Sequence, residues 1–273
     1  MPSPRNSTRR NRNIGTAKQG HGADNRLVIP DLWQQDGRWF AERLENPREV
    51  PFVVHGDKRI ALVEEPAEGF FYGCTVSDLE NLLHLVPAQD IEGLDVFLFR
   101  HPTRKQRTLS SVWGRMIYFA TPGHYAGSAV CFESHDLSKL SWSKSLDTER
   151  RRELERLRED GHRIELQRRG IDIHPTPESF RATTLFRTAL HEIGHYVDWM
   201  ESVIRVEGSV EEEQEASRLY SAKPKAMKED FAHRYAAEAL AKLTKAQKAP
   251  FPVQWDAERM KACGVLRKWF VGG

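Results

Sequence analysis

Apolar and polar positions alternate along the chain with periods that change from strand-like to helical and back. "RIALVEE" is a short apolar run rich in β-formers and predicts a strand. "SDLENLLHL" then places Leu79, Leu82, Leu83 and Val86 on one helix face, with Ser77 and Glu80 spaced as a capping box and Pro87 as the stop. Three β-rich stretches follow, "DVFLFRH", "GRMIYFAT" and "SAVCFESH", separated by glycine-containing or polar loops, and predict a small sheet. The last of them, "SAVCFESH", is expected at the sheet edge, with "GRMIYFAT" as its competitor for that place.

From residue 147 the pattern turns helical. "DTERRRELERLRED" is dense in charges of both signs around a thin stripe of Leu154 and Leu157, which predicts a solvated helix surface. "RIELQRR" reads as a further strand. In "TPESFRATTLFRTALHEIGHYVDWMESVI", Thr176 can cap a long helix, Pro177 suits its first position and Glu178 favours the positive end of its dipole. Gly208 closes that region. Two more helices, 210–222 and about 226–247, are split by "SAKPKA", and "DAERMKACGVLRKWF" predicts a last amphipathic helix. A sheet with helices gathered after it indicates an α+β fold.

Composition narrows the classes. Lys+Arg 41 against Asp+Glu 39 gives a net charge of +2, so no global field points to nucleic acid or a membrane. Residues 1–26 differ, carrying Arg5, Arg9, Arg10, Arg12, Lys18 and Arg26 against Asp24 alone. Such a segment has too little apolar surface to offset its ordering entropy and is expected to be a disordered basic tail. Weak nucleic-acid contact and a plain solubilising role are both open to it. Residues 27–273 are expected to form one domain. Cys74, Cys131 and Cys263 are odd in number and unpaired by any motif, which suits a reducing compartment. Without an apolar run of membrane-spanning length or a secretory-type N-terminal stretch, the expectation is a cytoplasmic protein without a membrane partner.

The chemistry centres on "TALHEIGHYVDW", where His191 and His195 stand four apart with Glu192 between them. On a helix, residues four apart differ by only ~40° in direction, so the two imidazoles can grip one ion from the same side. Zinc suits them, with three protein ligands and an open position when catalytic. Glu192 can face that position without ligating and act as general base toward solvent there. Gly194 leaves room for a substrate, for the sheet, or for a closely packed helix.

This motif resembles the zincin metallopeptidases, whose helix carries H-E-x-x-H after a sheet. The metzincin branch requires a glycine and a third histidine where this chain has Asp198 and Glu201. On a continuing helix Glu201 would stand about 240° around from His195, out of reach of the metal. The gluzincin branch takes a glutamate from a later helix, often as E-x-x-A followed by Asp, Asn or Glu. "KEDFAHRYAAEAL" is similar, with Glu229, Ala232 and then His233 in that last place; "RYAAEAL" resembles ImmA/IrrE-type peptidases. "TLFRTALHEIGHYVD" also resembles ArdC-type and lethal-factor-like domains. The likeness covers about residues 175–245.

The resemblance implies a zinc-dependent metallopeptidase acting on a protein or peptide, with His191, His195 and Glu229 as metal ligands and Glu192 catalytic. His233 would then orient a ligating histidine, add a ligand, or simply be a polar helix residue. Tyr220 is a candidate to stabilise the oxyanion, or a packing residue. "EEEQEASRLY" offers rival ligands in Glu213 and Glu215, the latter at a thermolysin-like spacing from His195. Its four acids within residues 211–215 read as a solvated first turn, so Glu229 is preferred. The alternative from another class is a non-catalytic domain stapled by zinc that binds nucleic acid or a protein through its basic tail. A stapling site has no use for Glu192, which favours the enzyme.

Overall fold

The computed structural model describes residues 40–109, 112–206 and 208–272. The basic segment 1–26 lies outside them, as does most of "WQQDGRWFAERL", whose pattern suggests a short element. The described chain is mixed α+β. Among the described residues no helix is long and apolar enough to cross a membrane.

β1 (Arg48–Val54) and β2 (Asp57–Val63) form an antiparallel hairpin, with Arg48 opposite Val63 and Val54 opposite Asp57. His55 and Gly56 both take positive φ at its turn, the backbone sense that matches the twist of paired strands. Helix α1 (Val76–Leu85) then crosses over to β4 (Val96–Arg100), which pairs parallel with β2. β6 (Gly127–Glu133) pairs parallel with β4, and β5 (Gly114–Ala120) pairs antiparallel with β6. The sheet order is β1-β2-β4-β6-β5. "SAVCFESH" is therefore an inner strand, and "GRMIYFAT" forms the edge. The burial pattern gives the reason: six of the seven positions of β6 are buried, whereas β5 has buried and half-covered positions and leaves Phe119 open. A strand buried on both faces needs a covered partner on each side.

Side chains on alternate positions build two cores. Ala61, Val63, Phe97, Phe99, Val130 and Phe132 face the helices, while Ile60, Leu62, Val96, Leu98, Ala129 and Cys131 face the opposite way. Helix α1 caps itself with Thr75 and Asp78, two residues earlier than the expected Ser77 and Glu80. Asp78 is fully buried and must be satisfied there. It accepts from the Thr75 and Gln254 backbone and from Arg181, so the cap also fastens α1 to distant parts of the chain.

The charge-dense helix α3 (Thr148–Glu159) follows α2 (Arg104–Leu109) in helix order. Leu154 and Leu157 are its buried stripe, packed on Ile171 and Ile173 of a second sheet. That sheet orders β8 (Leu140–Ser143), β10 (Gly170–His174) and β9 (Arg163–Leu166), of which only β9 is foreseen in the pattern. The two-residue strands β3 (Phe70–Phe71) and β7 (His135–Asp136) pair separately.

The final stretch departs from the expected helix. Only α8 (Ala257–Ala262) is α-helical; Gly264 adopts φ +70° and a short 3-10 turn, Arg267–Trp269, follows. Trp269, Phe270 and Val271 are buried, and the Tyr72 N–H donates to Trp269 O while Tyr72 O accepts from the Val271 N–H. Gly264 in the left-handed region ends the helix, so the last residues leave it to reach the core.

Candidate metal centre

The motif helix begins at α4 (Pro177–Arg181), where Thr176 and Ser179 form a reciprocal cap with Pro177 in the first turn. It widens into π turns over Ala182–Thr188, continues as α5 (Ala189–Trp199), and widens again over Met200–Ile204. The Ala189 N–H reaches Thr184 O and the Arg205 N–H reaches Met200 O, five residues back in each case. Leu185, Leu190 and Ile193 bury one side of this rod against the sheet core.

Its other side meets α7 (Lys225–Lys245). A Cβ on Gly194 would stand 3.0 Å from Ala232 Cα and 3.1 Å from Ala232 O. Gly194 therefore serves close helix packing. Ala232 and Ala236 are buried, Phe231 and Tyr235 pack beside them, and the Tyr235 hydroxyl donates to Asp90 Oδ2 at 2.7 Å.

Across this contact the structure brings His191, His195 and Glu229 together. Glu229 Oε2 lies 3.3 Å from His191 Nε2 and 3.6 Å from His195 Nε2. These separations are long for hydrogen bonds and approach the ~3.3–3.4 Å edge between donors held ~2.0–2.1 Å from a tetrahedral ion. Hydrogen bonds from His191 and His195 hold the Glu229 carboxyl well below the usual range. On His195, burial opposes protonation, but the Glu229 bond and the charges of Glu192 and Glu229 raise its pKa overall. The Nδ1 atoms of both histidines are buried and have no hydrogen-bond partner among the described residues.

His233, one turn beyond Glu229, completes a tighter group. The ligand atoms of His191, Glu229 and His233 all lie within 4.8 Å of one another, whereas His195 joins through the Glu229 carboxylate. The His233 ring stands 4.3 Å from that of His191 at 42°. Burial, with the nearby charges of His191 and Arg156, lowers the His233 pKa to about 4. His233 does not accept from His191 Nδ1, the orienting role one reading gave it.

Glu192 is 6% exposed on the sheet side of α5. Burial raises its pKa; the two histidines and a hydrogen bond from the Met116 backbone moderate the rise, and Glu229 adds to it. Edge strand β5 thus runs directly over the motif. Gly114 permits this, since a Cβ there would meet Thr188 Cγ2 at 2.8 Å and Cys131 O at 2.9 Å.

Tyr118 was not foreseen. Its hydroxyl pairs with that of Tyr220 at 2.9 Å and lies 3.4 Å from His195 O. Burial pushes the Tyr118 pKa up to about 12 and raises that of Tyr220 further. The only sequence signal was an aromatic residue on a strand whose edge position was assigned elsewhere. Asp198 accepts from Lys223 Nζ at 2.7 and 2.9 Å, which fixes the end of α6 (Val210–Ala222) to the motif helix. Glu201, Glu213 and Glu215 are exposed, and Glu215 pairs with Arg218. Cys74, Cys131 and Cys263 are free thiols.

A scan against protein-family models, a search of curated proteins and a search of solved structures each returned no match.

Proposed function

We propose that the chain is a zinc-dependent metallopeptidase with a zincin-like, gluzincin-type centre. His191, His195 and Glu229 hold the ion, and Glu192 is the general base. The observation that carries this reading is the convergence of one Glu229 oxygen on both histidine Nε2 atoms, beside a buried acid on the same helix. Two imidazoles and a carboxylate are a donor set that fits zinc better than magnesium or calcium.

Zinc held there would bring bound solvent to a pKa around 7 and polarise a substrate carbonyl. Glu192 supplies the proton acceptor. Its burial and raised proton affinity suit a group that takes a proton and hands it on to a leaving amine. The Met116 backbone and the packing of Gly114 keep its carboxylate under β5. As an edge strand, the place first expected for "SAVCFESH", β5 has backbone groups with which an extended peptide can pair by β-addition. Tyr118 and Tyr220 close the site on the His195 side.

A zinc staple without catalysis is the weaker reading. α5 and α7 already meet at van der Waals contact through Gly194 and Ala232, so no ion is needed to join them.

Elemental analysis of the purified chain should find about one zinc, and Glu192→Gln should retain it. That variant should lose at least ~100-fold of the cleavage wild type produces in a broad proteome extract. Equal cleavage by both proteins would refute the assigned base; a folded chain that takes up no zinc would refute the centre.

A further inference from the structure

Two pairs of residues, each spaced i, i+4, face one another across the helix contact: His191 and His195 on α5, Glu229 and His233 on α7. The proposed centre uses three of the four. Yet the group whose donors all lie within 4.8 Å of one another contains His233. Its ring lies against His191, and the Nδ1 of His191 gives it no hydrogen bond. His233 therefore stands with the donors and does not support His191 from behind.

We infer that His233 is a fourth protein donor of this centre, so that the resting site has three imidazoles and one carboxylate and no position open to solvent. The inference rests on the zinc-site reading above. Four protein donors characterise a closed zinc site, whereas hydrolysis needs one position free. One donor must therefore withdraw before the chemistry, and His233 is placed to be that donor. The His191 and His195 side chains are each 13% exposed on a helix packed against the sheet core, while His233 is 28% exposed. Glu229 touches both motif histidines and cannot leave without releasing both. His233 also has somewhere to go. Its Nε2 lies 4.0 Å from Glu149 Oε1 at the start of α3, a carboxylate that Arg156 already anchors. Turning toward Glu149 frees a position at the centre, and turning back closes it. The chain is thus latent until His233 moves, and α3 is the element that receives it.

X-ray absorption at the zinc edge, recorded on the full chain loaded with one equivalent of zinc, tests this by counting imidazole rings. Three are expected in wild type, and two in His233→Ala and His233→Asn. Affinity alone does not discriminate, because removing a neighbour that merely orients a ligand also weakens a site by about 10–100-fold. Two imidazoles in wild type, unchanged in the variants, would overturn the fourth donor and leave the three-residue centre standing. A folded wild-type chain that binds no zinc would overturn both.

Discussion

Helices α6 and α7 each carry E-x-x-A in their first half, and the structure treats the two in opposite ways. In α6, Glu211, Glu212, Glu213 and Glu215 are exposed, Ser209 and Glu212 form the cap, and Tyr220 is the only buried residue. In α7, Ala232, Ala236 and Leu243 are buried, and Phe231, Tyr235 and Leu240 pack on the main core. Glu215 therefore finds Arg218 on its own helix, while Glu229 finds two histidines on another. What separates the two is what stands beside the acid. Alanines interleaved with aromatic residues let a backbone approach closely; a run of acids keeps it in water. A carboxylate on a fixed, packed helix keeps its geometry, whereas one on a solvated turn pairs locally and loosely.

The comparison can be broken by changing the packing. Ala232→Leu should force α7 away from Gly194 and lower stability by about 1–3 kcal/mol, with loss of zinc uptake. Ser217→Leu, on the exposed face of α6, should stay within about 0.5 kcal/mol. Equal melting temperatures for the two variants would show that α7 is no more firmly seated than α6.

Acid should act on the seat of the motif helix, because α6 has no histidine. His162 is 3% exposed and packs under α4, bonded to Thr183 Oγ1 at 2.8 Å and to Ser179 Oγ at 3.3 Å. Burial, with Arg187 nearby, depresses its pKa from 6.5 to about 4. The unfolded chain then takes up the proton first, so stability falls as pH drops below about 6.5 and levels off near 4. Between pH 7 and 5 the loss from this group is on the order of 2 kcal/mol. Thermal melts should show it in wild type and a flatter profile in His162→Gln; parallel profiles would remove His162 as the cause.

Tyr220→Phe gives the smallest expected change. It removes the hydroxyl's contacts with Tyr118 and Asp198 and leaves Tyr118 its approach to His195 O, so about 1 kcal/mol is expected from melts. A loss of 3 kcal/mol or more would mean that α6 is held mainly through this pair.

Much of the site was legible because its residues are close in sequence or marked by their neighbours. His191, Glu192 and His195 share one helix, and Phe231 and Tyr235 signal that the Glu229 helix packs. The edge strand was not legible. "SAVCFESH" and "GRMIYFAT" carry similar apolar content, and their order in the sheet depends on crossovers that no local pattern encodes. The cap of α1 was displaced for a similar reason. Ser77 and Glu80 match the local rule, but buried Asp78 has partners at Arg181 and Gln254, far along the chain. The packing of His233 against His191 likewise arises only when two separate helices meet.

Zinc affinity, measured by chelator competition on wild type, Glu229→Gln and Glu215→Gln, tests most directly the claim that the packed helix supplies the third ligand. The account predicts at least ~100-fold weaker binding for Glu229→Gln and wild-type affinity for Glu215→Gln. Wild-type affinity in Glu229→Gln, or a comparable loss in Glu215→Gln, would contradict it.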